Sequence, residues 1–414
     1  MRIVPLEGAP GYAYRAAAAG LLLTFGPRAF AAQQDPSTYA IYVADQLTYD
    51  DNLYRLPSIA DATALAGAGA KRQDLVESVS LGADVHWYAG NQAVGVNLRA
   101  DNNRFSHNDA LNNTSGRGNL VWDWRLGENL SGQAGADYYR ALVSFANTNY
   151  YARDMVERVD YFGSARYRVG PHWTLVGGVI DADTTLSAVA EHLYDFHSKS
   201  GNAGVEYASA SGNTLTWEYR YTDARFPQAF VLNGAPFNSN YNEDTTRLLV
   251  KYAVTAATVI EASAGYLRRD YPYSSFAAFS GNIWRASLQW QPTRALQFAL
   301  TGWRELKAYV DSESDYFVSN GGSIEPAWTV SDKLTLSLAV SWENHDYIGS
   351  SPSTLTFVSR HDQVLSRQAR LVYKPARSLA VNLTYRYDRR DSNRARLEYD
   401  DTLATANVIF KFQL

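Results

Sequence analysis

The sequence predicts an all-β protein, a transmembrane up-and-down antiparallel β-barrel of about eighteen strands with short turns at one end and long loops at the other. Three observations predict it. Apolar residues recur at every second position, the period of a strand whose successive side chains point to opposite faces. Connections between the alternating stretches are short and long in turn. Aromatic residues recur at two set distances from the short turns.

The alternating stretches fall at 39–50, 75–88, 93–104, 117–126, 130–142, 156–169, 172–184, 198–208, 213–224, 245–254, 258–270, 281–291, 295–307, 318–329, 333–344, 363–374, 378–389 and 398–414. The short connections are "AGNQ" (89–92), "LGEN" (126–129), "VGPH" (169–172), "SASG" (209–212), "VTAAT" (254–258), "QPTR" (291–294), "VSDK" (330–333) and "KPAR" (374–377), most of them rich in turn formers. The other connections are longer and polar, as in "RFSHNDALNNTSGR" (104–117). An even strand count brings both ends of a bacterial outer-membrane barrel to the periplasmic side, with short turns there and long loops outside.

In "LTLSLAVSWEN" (334–344), Leu334, Leu336, Leu338, Val340 and Trp342 share one face, and Thr335, Ser337, Ala339, Ser341 and Glu343 the other. Strand 378–389 repeats this with Leu379, Val381, Leu383, Tyr385 and Tyr387 against Asn382, Thr384, Arg386 and Asp388. Strand 213–224 sets Leu215, Trp217, Tyr219 and Tyr221 against Thr216, Glu218, Arg220 and Thr222. The oily face is expected to meet lipid, and the polar face a water-filled lumen.

Strands running back to the short turns end near an aromatic: Trp87, Trp124, Tyr167, Tyr207, Tyr252, Trp290, Trp328, Tyr373 and Phe412. Strands leaving the turns meet a second set about eight residues on: Tyr138, Trp217 to Tyr221, Tyr266, Trp303, Trp342 and Tyr385 to Tyr387. At ~3.3 Å per residue and a tilt near ~40°, that interval covers roughly 20 Å, close to the ~25 Å apolar band of such barrels. Three residues break the pattern. Asp45 and Arg367 fall on the lipid parity and Trp303 is out of phase with Leu296, Phe298 and Leu300. A charge in mid-bilayer costs ~2–4 kcal/mol, so bulges or shifted registers are expected there.

Bulk composition agrees with this fold. Of 414 residues, 46% are hydrophobic and 13% aromatic, with 29 Tyr and 10 Trp, which suits strands and membrane interfaces. Beyond the N-terminus no apolar run is long enough for a spanning helix, which leaves a closed barrel as the way across a bilayer. Residues 1–31 read as a secretory signal, with Arg2 and Arg15 around a long n-region, "AAAAGLLLTFG" (16–26) as the apolar centre and Ala29-Phe30-Ala31 as the cleavage site. Residues 32–414 then form one barrel domain. Removing the signal takes three Arg and one Glu from 38 basic and 42 acidic residues, leaving a net charge of −6 and no basic patch for nucleic acid. The chain has no Cys, so no disulfide stabilises it after export.

About seven residues separate the expected cleavage site from the first strand, which leaves no plug domain. A barrel of this size is too wide for its own side chains to fill. The inward parity supplies Arg99, Asp101, Asp123, Arg166, Arg168, Glu218, Arg220, Arg247, Lys251, Arg285, Arg370, Arg386 and Asp388 as pore-lining candidates, beside Asp84, Arg158, Asp160, Glu206, Glu261 and Glu325. Arg set near Asp or Glu makes transverse fields and donors for hydroxyl-rich or anionic solutes. Ion pairing that only stiffens the wall is the other reading of the same residues. The seven His show no H-E-x-x-H spacing, and no G-x-S-x-G or Gly-rich phosphate loop occurs, so neither catalysis nor a cofactor or metal is expected.

The stretch "YDDNLYRLP" (49–57) stands where the first strand ends. Its residues suit a strand end, a loop anchor or a weak calcium contact, with a structural role favoured. Asp50, Asp51, Asn52, Leu53, Tyr54 and Arg55 also resemble the D-D-N-L-[aromatic]-R motif of the EpsL-like outer-membrane proteins of exopolysaccharide gene clusters, a β-barrel porin family. "ANVIFKFQL" at the C-terminus looks like the strand signal read by the outer-membrane assembly machinery, with Leu414 where Phe is usual. The resemblance implies a porin in the outer membrane of a Gram-negative bacterium that passes an exopolysaccharide, in contact with outer-membrane lipid and with periplasmic and inner-membrane export proteins. A general or substrate-selective diffusion porin for small hydrophilic solutes is the alternative, and an enzyme or adhesin built on the barrel is a third.

Overall fold

A computed structural model describes residues 37–413 apart from 59, 149, 233–234, 238, 273–277, 312–313 and 349–358. The expected signal segment therefore lies outside the described residues. Eighteen strands form one antiparallel sheet that closes on itself. They are β1 (Thr38–Asp50), β2 (Asp74–Ala89), β3 (Gln92–Phe105), β4 (Asn113–Leu126), β5 (Leu130–Leu142), β6 (Met155–Val169), β7 (Trp173–Leu186), β8 (Phe196–Ala208) and β9 (Thr214–Arg225), followed after one loop by nine more. That loop carries a small hairpin, β10 (Phe230–Leu232) with β11 (Ala235–Phe237). The second nine are β12 (Tyr241–Thr255), β13 (Thr258–Asp270), β14 (Phe279–Trp290), β15 (Leu296–Asp311), β16 (Ser314–Ser331), β17 (Leu334–Ile348), β18 (His361–Ala376), β19 (Leu379–Ser392) and β20 (Tyr399–Gln413). Each strand pairs with its neighbour in sequence, β9 pairs with β12, and β1 pairs with β20 to close the ring. Among the described residues no helix is long and apolar enough to cross a membrane. A closed ring is what lets strands do so, because every backbone N–H and C=O finds a partner within the wall.

The alternation is expressed as expected. Leu81, Val179, Leu338 and Leu383 stand out from the barrel with 46–64% of their surface exposed, and the turn-side aromatics Trp87, Tyr167, Trp290 and Phe412 are exposed as well. Four of the short turns carry a glycine at positive φ, namely Gly90, Gly127, Gly170 and Gly212, a conformation that a tight hairpin needs and other residues resist. Several strands extend further at the long-loop end than expected: β4 begins at Asn113, β12 at Tyr241, and β17 runs to Ile348.

Two of the three irregularities resolve against expectation. No bulge relieves Asp45: it sits opposite Val79 and Val408 in ladders that run unbroken through it, so its carboxylate is on the outer face. Arg367 likewise faces outward, opposite Val340 and Tyr387. Its level beside the outer aromatics lets the guanidinium reach the lipid headgroups. Among the described residues register shifts occur next to hairpin ends, at Ala253/Thr255, Ala308/Asp311, Thr329/Ser331 and Tyr373/Ala376.

The third irregularity has a structural cause. Trp303 does not belong to the outer girdle: it is 7% exposed, faces the lumen, and donates from Nε1 to Ser319 Oγ at 3.0 Å. Gly321 lies opposite it, and a Cβ there would stand 2.8 Å from the indole. On the next residue Gly322 makes the same room outside for Trp342. Two adjacent glycines thus let one tryptophan lie flat on each face of β16.

Candidate functional site: a constricted lumen

β15 leaves the wall. Its ladder with β14 ends at Trp284 and Arg304, whereas its ladder with β16 continues to Asp311 and Ser314. A long loop was expected between residues 307 and 318, but the chain instead stays a paired hairpin. By parity Leu306, Tyr316 and Val318 should face outward, yet they are 0–4% exposed and pack with Ala224, Tyr241 and Leu267, which lie on the inner face of β9, β12 and β13. The upper part of the hairpin has therefore bent into the lumen. Its opposite face carries Lys307, Phe317 and Ser319 toward β17. There the Glu343 carboxylate accepts from Lys307 Nζ (2.6 Å) and Ser319 Oγ (2.8 Å) and lies 3.0 Å from His345 Nε2, while Phe317 packs on Tyr347. The hairpin is thus a partition between two walls. Arg269 pins one side: 1% exposed, it donates to Glu243 at 2.6 and 2.9 Å and lies 4.1 Å from the Tyr241 ring and 5.5 Å from Tyr316. Breaking such a buried pair costs about 3–5 kcal/mol, because the remaining charge is stranded.

A second insert fills the other side of the same half. Leu53, Tyr54 and Leu56 of the β1–β2 connection join Phe105, Leu111 and Phe145 in one buried cluster. The loop after β5 reaches as far as β19, where Arg390 donates to the carbonyl of Ala146. Its 3-10 turn (Phe145–Asn147) also touches β15.

The motif residues build the base of this insert. Asn52 is 1% exposed. Its side chain donates to the carbonyls of Leu56 (2.8 Å) and Asp400 (2.7 Å) and accepts from the Leu56 N–H (2.9 Å). Arg55, in the left-handed region at φ 55°, bridges Asp50 and Asp401 at 3.0 Å each. Burial works against its charge, but the two carboxylates outweigh it and hold the guanidinium pKa above its ordinary value. Asp51 accepts from the Thr402 N–H at 2.7 Å, tying the loop to β20. Leu53 is buried, and Tyr54 donates to Asn108 Oδ1 at 3.1 Å. Burial, with the Asp74 carboxylate nearby, pushes the Tyr54 phenol up to about 12. Asp50, Asp51 and Asp401 could offer ligand atoms to a cation, as could Asp181, Asp183 and His197 on the outer face. In the first group Arg55 already supplies the positive charge.

The remaining candidates form local pairs. Arg99 donates to Asp101 at 2.6 Å, Arg386 to Asp388 at 2.9 Å, and Lys251 lies 3.0 Å from Glu261. Asp123 accepts from Gln133 at 2.6 Å, and Arg166 meets Glu206. Arg168 donates to the Glu128 carbonyl and so braces a short turn. Arg370 stands opposite Ser337 and Thr384. Glu218, Arg220 and Arg247 form a larger group, and Arg285 lines the same cavity as the two arginines. Arg247 makes two bonds to Glu218 Oε1 (2.9 and 2.7 Å), and Arg285 pairs with Glu305 at 3.0 Å. Between them and the partition lies a cavity of about 110 Å³, lined also by Asp137, Arg158 and Asp160. Sequence reading missed Asp137, Glu243, Arg269 and Glu305. The out-of-phase Trp303 and the apolar residues on both sides of "DSES" (311–314) were the available signals of the inward hairpin.

The model of a family described as "Putative beta-barrel porin 2" matches residues 250–412. No curated protein matches the sequence. Solved structures share the architecture. Pseudomonas aeruginosa OccK2 (OpdF) is 11% identical, with 91% of this chain and 98% of that chain covered and a TM-score of 0.50. Acinetobacter baumannii OccAB3 is 9% identical, with 91% and 99% covered and a TM-score of 0.48. A BenF-like porin from Pseudomonas fluorescens Pf-5 is 11% identical, with 92% and 100% covered and a TM-score of 0.48. At these identities the likeness is one of fold. The chain is a closed eighteen-stranded β-barrel of porin architecture, and its place is the Gram-negative outer membrane.

Proposed function

We propose that this protein is a substrate-selective diffusion porin for small hydrophilic solutes. The observation that carries the reading is the pair of inserts. The β15–β16 partition and the loop cluster project into the long-loop half of the lumen, and a charged cavity lies beside the partition. A passage of that kind admits a small polar solute whose hydroxyl or charged groups replace their water shell with Arg, Asp and Glu. Its partners are that solute, outer-membrane lipid and the assembly machinery that inserts barrels. No step in this role is catalytic.

Exopolysaccharide export, with periplasmic and inner-membrane partners, is the second reading, favoured by the EpsL-like motif at Asp50–Arg55. The side chains of that motif are engaged in the loop anchor, so the motif supports kinship more than a hold on polymer. Proteoliposome swelling with sugars of rising size separates the two. The diffusion reading expects entry of monosaccharides and a steep fall for tri- and tetrasaccharides. Steady entry of longer oligomers, together with loss of secreted polysaccharide in a deletion strain, would favour export instead.

A further inference from the structure

The cavity beside the partition is not uniformly charged. On the β9–β12 side Arg220 and Arg247 share one carboxylate. Both bonds from Arg247 go to Glu218 Oε1, and Arg220 stands 3.7 Å from that same oxygen. Arg220 Nε has no hydrogen-bond partner among the described residues, although the side chain is only 11% exposed. A buried guanidinium with unmade bonds is costly unless a mobile group supplies them. The β5–β6 side has the opposite surplus. Arg158 donates from Nε to both oxygens of Asp160, at 2.8 and 2.9 Å, and also acts electrostatically on Asp137, whose hydrogen-bond donor is the neutral Asn119, so two carboxylates share this guanidinium. The other charges lining the cavity cancel within their own pairs, Arg285 with Glu305 and Glu243 with Arg269. One excess positive group therefore faces one excess negative group across a single cavity.

We infer that this cavity is a binding site for zwitterionic solutes, with Arg220 taking the carboxylate and Asp137 the ammonium. A simple anion satisfies Arg220 but meets Asp137 and Asp160, and a simple cation meets the reverse. Only a solute with both charges is attracted at both ends. Asp137 and Arg220 lie four strands apart, so their backbones are roughly 19 Å apart along the wall at ~4.8 Å per strand. This separation suits charges set several bonds apart, as in a dipeptide, better than those of an α-amino acid.

The inference rests on the diffusion-porin reading, and the test separates the two. Full-length mature protein is reconstituted in liposomes, and uptake of labelled glycylglycine, N-acetylglycine, glycinamide and arabinose is measured. The expected result is glycylglycine entering several-fold faster than arabinose, with both singly charged analogues slower than glycylglycine. Arg220→Gln and Asp137→Asn should each bring the glycylglycine-to-arabinose ratio toward one, with folding checked by heat-modifiable migration in gels. The double exchange Arg220→Asp with Asp137→Arg should restore it. Arabinose uptake without a zwitterion preference, or a preference for the mono-anion, overturns the inference and leaves the porin reading standing. No uptake of any solute overturns the porin reading and the inference with it.

Discussion

The two inserts in the lumen are built in opposite ways. The anchor at residues 50–56 draws most of its bonds from its own turn and the adjoining end of β20: Asn52 closes on Leu56 and Asp400, and Arg55 on Asp50 and Asp401. The β15–β16 partition is held instead by side chains far apart in sequence, with Arg269 and Glu243 on one face and Glu343 with Lys307 and Ser319 on the other. A compact anchor fixes the shape of the mouth and gains nothing from moving. A partition held between two walls lies in the lumen itself, so on the diffusion-porin reading its contacts bear on flow as well as stability.

This contrast can be broken by mutation. The largest effect on stability is expected from Arg55→Ala, which strands Asp50 and Asp401 and costs about 3–5 kcal/mol. It should appear as a lower unfolding midpoint in detergent with single-channel conductance little changed; a large rise in conductance would erase the distinction between the inserts. Glu343→Gln should act the other way round. It removes the anion joining Lys307, Ser319 and His345, costs about 1–3 kcal/mol, and should raise open-channel current noise in planar bilayers. A quiet channel of unaltered conductance would show that the partition does not depend on that contact.

Smaller effects sharpen the picture of the wall. Asp45→Val replaces an outward carboxylate between Val79 and Val408, and should stabilise the barrel by about 1–2 kcal/mol in urea titrations in lipid vesicles. A loss of stability would mean that Asp45 has a partner in the membrane. The smallest effect concerns pH. The fold prefers the neutral Tyr54 phenol, whose pKa is about 12, against ~10 in the unfolded chain. That contribution is fully present below pH ~10 and is lost as pH rises toward 12. Tyr54→Phe should flatten the decline of stability in that window.

Strand number, strand order and the lipid-facing parity were legible in the sequence because two solvents impose them. Each face of β17 meets one environment from Leu334 to Trp342, so the period of two is uninterrupted there. The inserts were not legible for a related reason. β15 keeps the same alternation after Arg304, and what changes is the direction of its backbone, which turns Leu306 toward protein without altering the pattern. Arg269 and Glu243 belong together only through the β12–β13 register, so no short spacing reveals them. The inward parity did identify Glu218, Arg220, Arg247 and Arg285. It could not tell which lumen charges would be cancelled by a neighbour, because that depends on side-chain reach across strands.

The most direct test of the account is single-channel conductance of the full-length protein beside a variant in which residues 306–318 are replaced by a short Gly-Ser turn, with refolding verified by heat-modifiable migration. If the β15–β16 hairpin is the partition that narrows the lumen, conductance should rise several-fold and the solute-size cut-off should move upward. An unchanged conductance in the properly folded variant would contradict it.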